Sequence, residues 1–268
     1  MRAIRIACCA MLILALSFPM VPSQAFAQEE DVKAAMKKDK TGTNPMNFTF
    51  DARLYNEYRW LNPDTTGDGD QNITTFEFRM PLAGGKWQMR SKIRYESIEI
   101  DDVGVDEAGM GDTDIRFLTI PYLKKFAVAT GVEFFLDTAS EDVLGKGATI
   151  VGPMIFLGFF NPIGKGSILV PGYQHKISID EDSGRSKVNE GLIDMFLVKT
   201  FKSNQYWGFI DPQILLDYEN NIEFMLLELQ AGMMIGSKGH SAYIMPSFGV
   251  GDDRPYDTSV EVAYKIIW

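Results

Sequence analysis

The property that most limits what this chain can become is a strict two-residue alternation of apolar and polar side chains. It is clearest in the closing stretch Ser259-Val-Glu-Val-Ala-Tyr-Lys-Ile-Ile-Trp268. Val260, Val262, Tyr264, Ile266 and Trp268 fall on one parity, and Ser259, Glu261 and Lys265 on the other. Successive strand side chains point to opposite faces, so this segment reads as a strand with one apolar and one polar side; a period of 3.6 would mix the two sets. The region 46–60 repeats the pattern: Phe48, Phe50, Ala52, Leu54, Tyr58 and Trp60 share one parity, and Asn47, Thr49, Asp51, Arg53, Glu57 and Arg59 share the other. In 87–100, Trp87, Met89, Ile93 and Tyr95 oppose Gln88, Arg90, Lys92, Arg94 and Glu96.

Twelve such segments can be marked out between clusters of Gly, Pro, Asp and Asn: 46–60, 70–82, 87–100, 111–120, 126–138, 148–160, 166–180, 189–201, 206–218, 222–236, 240–250 and 256–268. Their connections sort by charge. Every second one is short, contains lysine and lacks Asp or Glu: Ala83-Gly-Gly-Lys86, Pro121-Tyr-Leu-Lys-Lys125, Asn161-Pro-Ile-Gly-Lys-Gly166, Lys202-Ser-Asn-Gln205 and Gly236-Ser-Lys-Gly-His240. The others are mostly longer and acidic, including 64–70, 101–107, 140–142, 180–182, the turn at Asp217 and Glu219, and 251–254. A wrong strand count would scramble this sorting. The expected fold is therefore all-β: a single 12-stranded antiparallel transmembrane β-barrel over 46–268, with short periplasmic turns and longer acidic outer loops. Beyond residue 27 no run of 18 apolar residues offers a membrane helix.

Residues 1–27 read as a cleaved secretory signal. Arg2 and Arg5 form a basic start, 6–18 is an apolar run too short to span a bilayer, and Ala25-Phe-Ala27 is a small-x-small cleavage site. Residues 28–45 are polar, without a core-forming pattern, and read as a periplasmic leader. Both cysteines, Cys8 and Cys9, fall in the signal, which leaves an exported chain without disulfides; a closed hydrogen-bonded barrel is another source of rigidity. The formal charge is −10; removing Arg2 and Arg5 lowers Lys+Arg from 26 to 24 against 36 Asp+Glu, giving −12. That balance argues against nucleic acid as a partner.

The polar parity of the first four strands carries the most suggestive side chains: Arg53, Glu57, Arg59, Glu77, Arg79, Arg90, Lys92, Arg94, Glu96, Asp114 and Arg116. A mixed-sign ladder facing a lumen can orient or select a polar solute. It can equally be a set of ion pairs that fills a narrow barrel, and twelve strands lie between filled eight-stranded barrels and open sixteen-stranded ones. The segments 126–138 and 148–160 are apolar on both parities, which implies a greasy lumen sector, or a wall packed against a plug or a neighbouring subunit.

Two other chemistries bear on the sequence. His175 and His240 are the only histidines; Ser178 lies on the opposite parity from His175, and His240-Ser241 falls in a turn, so neither makes a nucleophile–base pair and no enzyme or cofactor is expected. An outer-membrane lipid hydrolase remains the enzymatic alternative. The loop Asp64-Thr-Thr-Gly-Asp-Gly-Asp70 has half of a calcium-loop pattern in Asp64, Asp68 and Asp70, but Thr75 stands where a bidentate Glu belongs. It is a weak metal candidate.

The closing strand, with Tyr264, Ile266 and Trp268 as membrane-interface residues, resembles the assembly signal of outer-membrane proteins. Gly109-Met-Gly-Asp-Thr-Asp-Ile115 resembles the Gly-x-Gly-Asp segment of a family of outer-membrane barrels linked to the meta-pathway of phenol degradation. Thr130-Gly131, Gly145-Lys-Gly147 and Thr149-Ile-Val-Gly-Pro153 extend the resemblance over 100–160, while Phe135-Leu-Asp-Thr138 replaces the family's Pro-Thr-Gly. The resemblance implies a channel or transporter for small, often aromatic or hydrophobic compounds in the outer membrane of a Gram-negative cell. Its expected partners are outer-membrane lipid and lipopolysaccharide, the barrel-assembly machinery acting on the last strand, and a small-molecule solute. A structural barrel with a filled lumen is the other reading.

Overall fold

The computed structural model describes residues 46–202, 204–236 and 239–268; the expected signal (1–27) and leader (28–45) lie outside the described residues. The strands are β1 (Asp51–Leu61), β2 (Gly69–Leu82), β3 (Trp87–Ile100), β4 (Val105–Met110), β5 (Thr113–Leu123), β6 (Ala127–Leu136), β7 (Ala148–Phe160), β8 (Ser167–Glu181), β9 (Asn189–Phe201), β10 (Tyr206–Asp217), β11 (Ile222–Ile235), β12 (His240–Val250) and β13 (Tyr256–Ile267). Every pairing is antiparallel, and β1 pairs with β13 from Asp51↔Ile267 to Leu61↔Tyr256, so the sheet closes on itself.

The wall has twelve strands, because β4 and β5 are two pieces of one. β3 pairs with β4 through Tyr95–Ile100 and with β5 through Trp87–Lys92. Between the pieces, Gly111 and Asp112 bulge out of the ladder, and the inward parity changes: Glu96 faces Gly109 in β4, whereas Lys92 faces Asp114 in β5. Gly111 also leaves room for the Glu96 carboxylate, which a Cβ would strike.

Two expected boundaries are corrected. The acidic stretch 101–107 is not a long loop: Asp101–Val103 forms a single turn closed by Gly104 at φ 67°, and β4 resumes at Val105. Asp and Glu signal a loop within the apolar belt, but this hairpin rises beyond it, where both strand faces tolerate charge. The first strand begins at Asp51 rather than 46, because Met46–Phe50 leaves the wall and Met46 is fully buried. By contrast β3, β7, β9 and β12 coincide with their expected spans.

The distribution of side chains is inverted relative to a water-soluble protein. Leu54, Phe76, Ile244 and Val262 are 54, 47, 49 and 50% exposed on the outer face, whereas Asp114, Glu77 and Lys265 are 1, 4 and 1% exposed inside. An apolar belt this continuous matches hydrocarbon rather than water. Aromatic rings cluster at its two rims. At the rim of the short turns, Phe50 meets Phe78 and Trp268 edge-on at 5.4 and 5.1 Å, and Tyr122–Phe126–Phe159 form a second group. At the other rim stand Tyr58–Trp60 and Tyr173–His175–Tyr218. Such girdles seat amphipathic rings at the headgroup level. Tyr264, Ile266 and Trp268 share the outward parity of β13, and the Trp268 N–H donates to the Phe50 carbonyl at 2.9 Å.

Trp268→Ala removes the ring that clamps Phe50 across the closing seam. The expected result is a loss of about 1 kcal/mol, the usual worth of an aromatic pair, read as a lower urea midpoint of the folded barrel in detergent.

Candidate functional site

The inner surface of β1–β5 is built from charge rows that cross the strands. One row alternates in sign: Arg53 faces Glu77, Glu77 faces Lys92, and Lys92 faces Asp114. Opposite charges directly across a ladder stabilise it. Glu77 sits 3.6 Å from Arg53, 3.5 Å from Arg79 and 4.0 Å from Lys92. The adjacent row does not alternate. Asp51 faces Arg79, Arg79 faces Arg90, Arg90 faces Arg116, and Arg116 faces Glu133. Three arginines thus stand side by side. Arg79 is held by Asp51 at 2.8 Å, and Arg90 by Glu133 and by Asp114 at 3.4 Å. Gln174 donates to the other Glu133 oxygen at 3.0 Å. Arg94 spans to Asp114 and to the Asp112 carbonyl, and Arg59 to Glu57 at 2.8 Å. Glu96 accepts from Gln71 at 2.9 Å.

All eleven charged residues that the sequence singled out, from Arg53 to Arg116, therefore project inward, and all except Glu96 and Asp114 line one cavity of 410 Å³. The facing wall holds a group that sequence reasoning passed over. Asp194 on β9, Asp211 on β10 and Glu228 on β11 line the same cavity, joined there by Glu261 from the polar parity of β13 already noted. The signal was present: each is a lone carboxylate at an inward position of an apolar strand, as in Leu-Ile-Asp194-Met-Phe and Leu-Leu-Glu228-Leu. Arg53 and Glu261 are joined across the β1–β13 seam by the Tyr243 hydroxyl, which accepts from Arg53 at 3.2 Å and donates to Glu261 at 2.5 Å.

A third sector is apolar. Leu118, Phe156, Val170, Phe196 and Phe209 line the cavity toward the short-turn end. Beneath them Met46 packs on Leu118, Ala127, Ala129, Met154, Phe160 and Val170. This explains why 126–138 and 148–160 are apolar on both parities: their inner face receives the segment that precedes β1. The five residues from Met46 to Asp51 can reach about 17 Å when extended, enough to carry Met46 from the β1 side onto β5–β8.

The opposite mouth is narrowed by the loop 137–147. Its Leu144 packs inside on Leu61, Ile98, Ile100 and Tyr256. Asp112, in the bulge between β4 and β5, latches this loop by accepting from the backbone N–H groups of Thr138 and Ala139, both at 3.2 Å, and of Lys146 at 2.8 Å. Ser140 bonds Met110 in both directions, N–H to carbonyl at 2.9 Å and hydroxyl from the Met110 N–H at 3.0 Å, where Gly109 leaves space for it. The Gly-x-Gly-Asp segment is thus a loop latch.

Both histidines lie on the outer face. His175 contacts Tyr173 at 2.9 Å and His240 contacts Tyr264 at 2.6 Å, each within an aromatic rim and without a serine partner. The 64–70 loop is organised by other bonds: Asn62 receives the Asp64 N–H at 2.9 Å, and Asp102 receives the Asp68 N–H at 3.1 Å. Among the described residues, Asp64, Asp68 and Asp70 do not converge as a metal-binding group.

No protein-family model and no curated protein sequence matches the chain. In fold it is similar to an outer membrane channel from Pseudomonas putida F1 (TM-score 0.67, 10% identity, covering 84% of this chain and 100% of that one). It is also similar to the NanC porin (TM-score 0.54, 10% identity, 81% and 97%) and to the beta domain of the Bordetella autotransporter BrkA (TM-score 0.50, 11% identity, 81% and 98%). At these identities the likeness is one of fold.

Removing one member of a buried ion-pair network strands the others. Arg90→Met is expected to cost about 3 kcal/mol in urea unfolding of the detergent-solubilised barrel, with partial recovery when Glu133→Gln is added. Asp112→Ala frees the 137–147 loop; faster proteolytic cleavage within that loop is the expected readout.

Proposed function

We propose that the protein is an outer-membrane channel that passes a small solute passively through its charged lumen. The observation that carries this reading is the placement of ionisable groups: they face a cavity along the barrel interior while the apolar parity faces outward. A barrel that only needed filling could use apolar side chains inside, whereas charges around a cavity fit a hydrated path. Arg90, Lys92 and Arg94, with Arg53, Arg79 and Arg116 beside them and Glu57, Glu77 and Glu96 as counter-charges, are the solute-facing set. The strip of Leu118, Phe156, Phe196 and Phe209 supports a solute with an apolar or aromatic part, in line with the resemblance over 100–160.

In the same proposal the aromatic rims seat in lipid headgroups, the acidic outer loops meet lipopolysaccharide, and β13 is the strand that the assembly machinery engages. The fold neighbours from Pseudomonas putida and NanC are a channel and a porin, which supports a path through this wall as well.

Single-channel recording of the barrel in planar bilayers tests the reading. Discrete conductance steps are expected, and they should grow when Met46→Gly removes the side chain that fills the short-turn end. A barrel that reconstitutes in heat-modifiable form yet shows no steps would be a filled structural barrel instead.

A further inference from the structure

The cavity is lined by like charges gathered on facing walls, and each wall retains groups that the fold does not satisfy. On the acidic side, Asp211 and Glu228 stand directly opposite one another in the β10–β11 ladder, an arrangement that destabilises a sheet. Asp194 lies on the adjoining strand. Asp211 is 5% exposed, yet its Oδ1 has no hydrogen-bond partner, and neither has the buried Oδ1 of Asp194. Among the described residues no cation lies within 4.0 Å of any of the three. Gln213 satisfies the other Asp211 oxygen at 3.0 Å. Buried carboxylates left in this state cost stability unless a donor reaches them.

The basic side mirrors this. Arg116 faces Arg90 across the ladder, and because Glu133 is taken by Arg90 and Gln174, Arg116 makes no ion pair among the described residues. Lys92 has only a 4.0 Å approach to Glu77. One wall therefore offers unpaired acceptors and the other an Arg116 without an ion pair beside a loosely held Lys92, across a single cavity of 410 Å³ whose remaining surface includes Phe196 and Phe209.

We infer that the preferred solute is amphoteric: a small molecule bearing an ammonium and a carboxylate on an apolar body, of the size and chemistry of a free aromatic amino acid. Its ammonium is taken by Asp194, Asp211 and Glu228, its carboxylate by Arg116 and Lys92, and its apolar part lies on Phe196 and Phe209. This rests on the channel reading for passage, and the binding it describes stands on the cavity alone. Local violations of charge pairing are expected where a ligand completes the set.

Three probes that share a phenylethyl unit test it on the full reconstituted chain at neutral pH: phenylalanine carries both charges, phenethylamine the ammonium only, and 3-phenylpropionate the carboxylate only. Phenylalanine is expected to interrupt the ionic current at about tenfold lower concentration than either analogue, as one added charge-assisted hydrogen bond implies. The double variant Asp211→Asn, Glu228→Gln should lose about tenfold for phenylalanine and phenethylamine and leave 3-phenylpropionate unchanged. Arg116→Gln should do the converse. Equal block by all three probes, or a variant that shifts them all alike, overturns the inference. If the barrel gives no current steps, the channel reading fails by itself. Calorimetric titration of the folded, detergent-solubilised barrel then decides the amphoteric site: tighter binding of phenylalanine than of its analogues upholds it, and equal or absent binding overturns it.

Discussion

The rest of the structure depends on the ladder between β1 and β13. Outside the wall is hydrocarbon, where an unpaired backbone N–H or carbonyl has no substitute partner. A sheet can stand there only without edges, and the β1–β13 seam removes the last two. Closure then dictates everything at the level of side chains. With the sheet curved into a ring, each strand has one parity outside and one inside, and a slip of a single residue would turn a row of charges into lipid. Between β4 and β5 the inward parity changes at the Gly111–Asp112 bulge, and that bulge carries the latch for the loop that narrows one mouth.

Inside the ring, two kinds of charge arrangement coexist and serve different ends. The row Arg53–Glu77–Lys92–Asp114 alternates, and its members neutralise one another across neighbouring strands. Such a row holds the wall together across neighbouring strands. The arginine row and the Asp211–Glu228 pair do the opposite and keep like charges adjacent. Stability alone would favour converting one of each pair. Their presence around a shared cavity creates a field across the lumen, from one wall to the other, rather than along it.

Strand number, parity and the sidedness of the connections were legible in the sequence because they follow from a period of two and from charge sorting, neither of which needs tertiary knowledge. The inward set on β1–β5 was legible for the same reason: those strands carry several charges each, so their polar parity stands out. Asp194, Asp211 and Glu228 were not, since each is a single acid among apolar neighbours and only the register of β9, β10 and β11 shows that the three meet. The turn at Asp101–Gly104 was misread because acidic residues signal loops only while a strand lies within the apolar belt. The double apolarity of β6 and β7 could not be resolved without seeing Met46 cross the interior to cover their inner face.

The seam also sets how the molecule must reach its folded state. Every other pairing in the wall joins strands adjacent in sequence, so each can form as a local hairpin with little loss of chain freedom. Asp51 with Ile267 is the exception, joining the first strand to the last across nearly the whole barrel sequence. The entropic cost of bringing distant segments together grows only slowly with their separation, but here it falls on one step and is recovered only when the ring is complete. Hairpins would therefore accumulate early as a curling open sheet with two sticky edges, and meeting of those edges is the slow event. Until then the sheet is vulnerable to pairing with another chain instead of with itself.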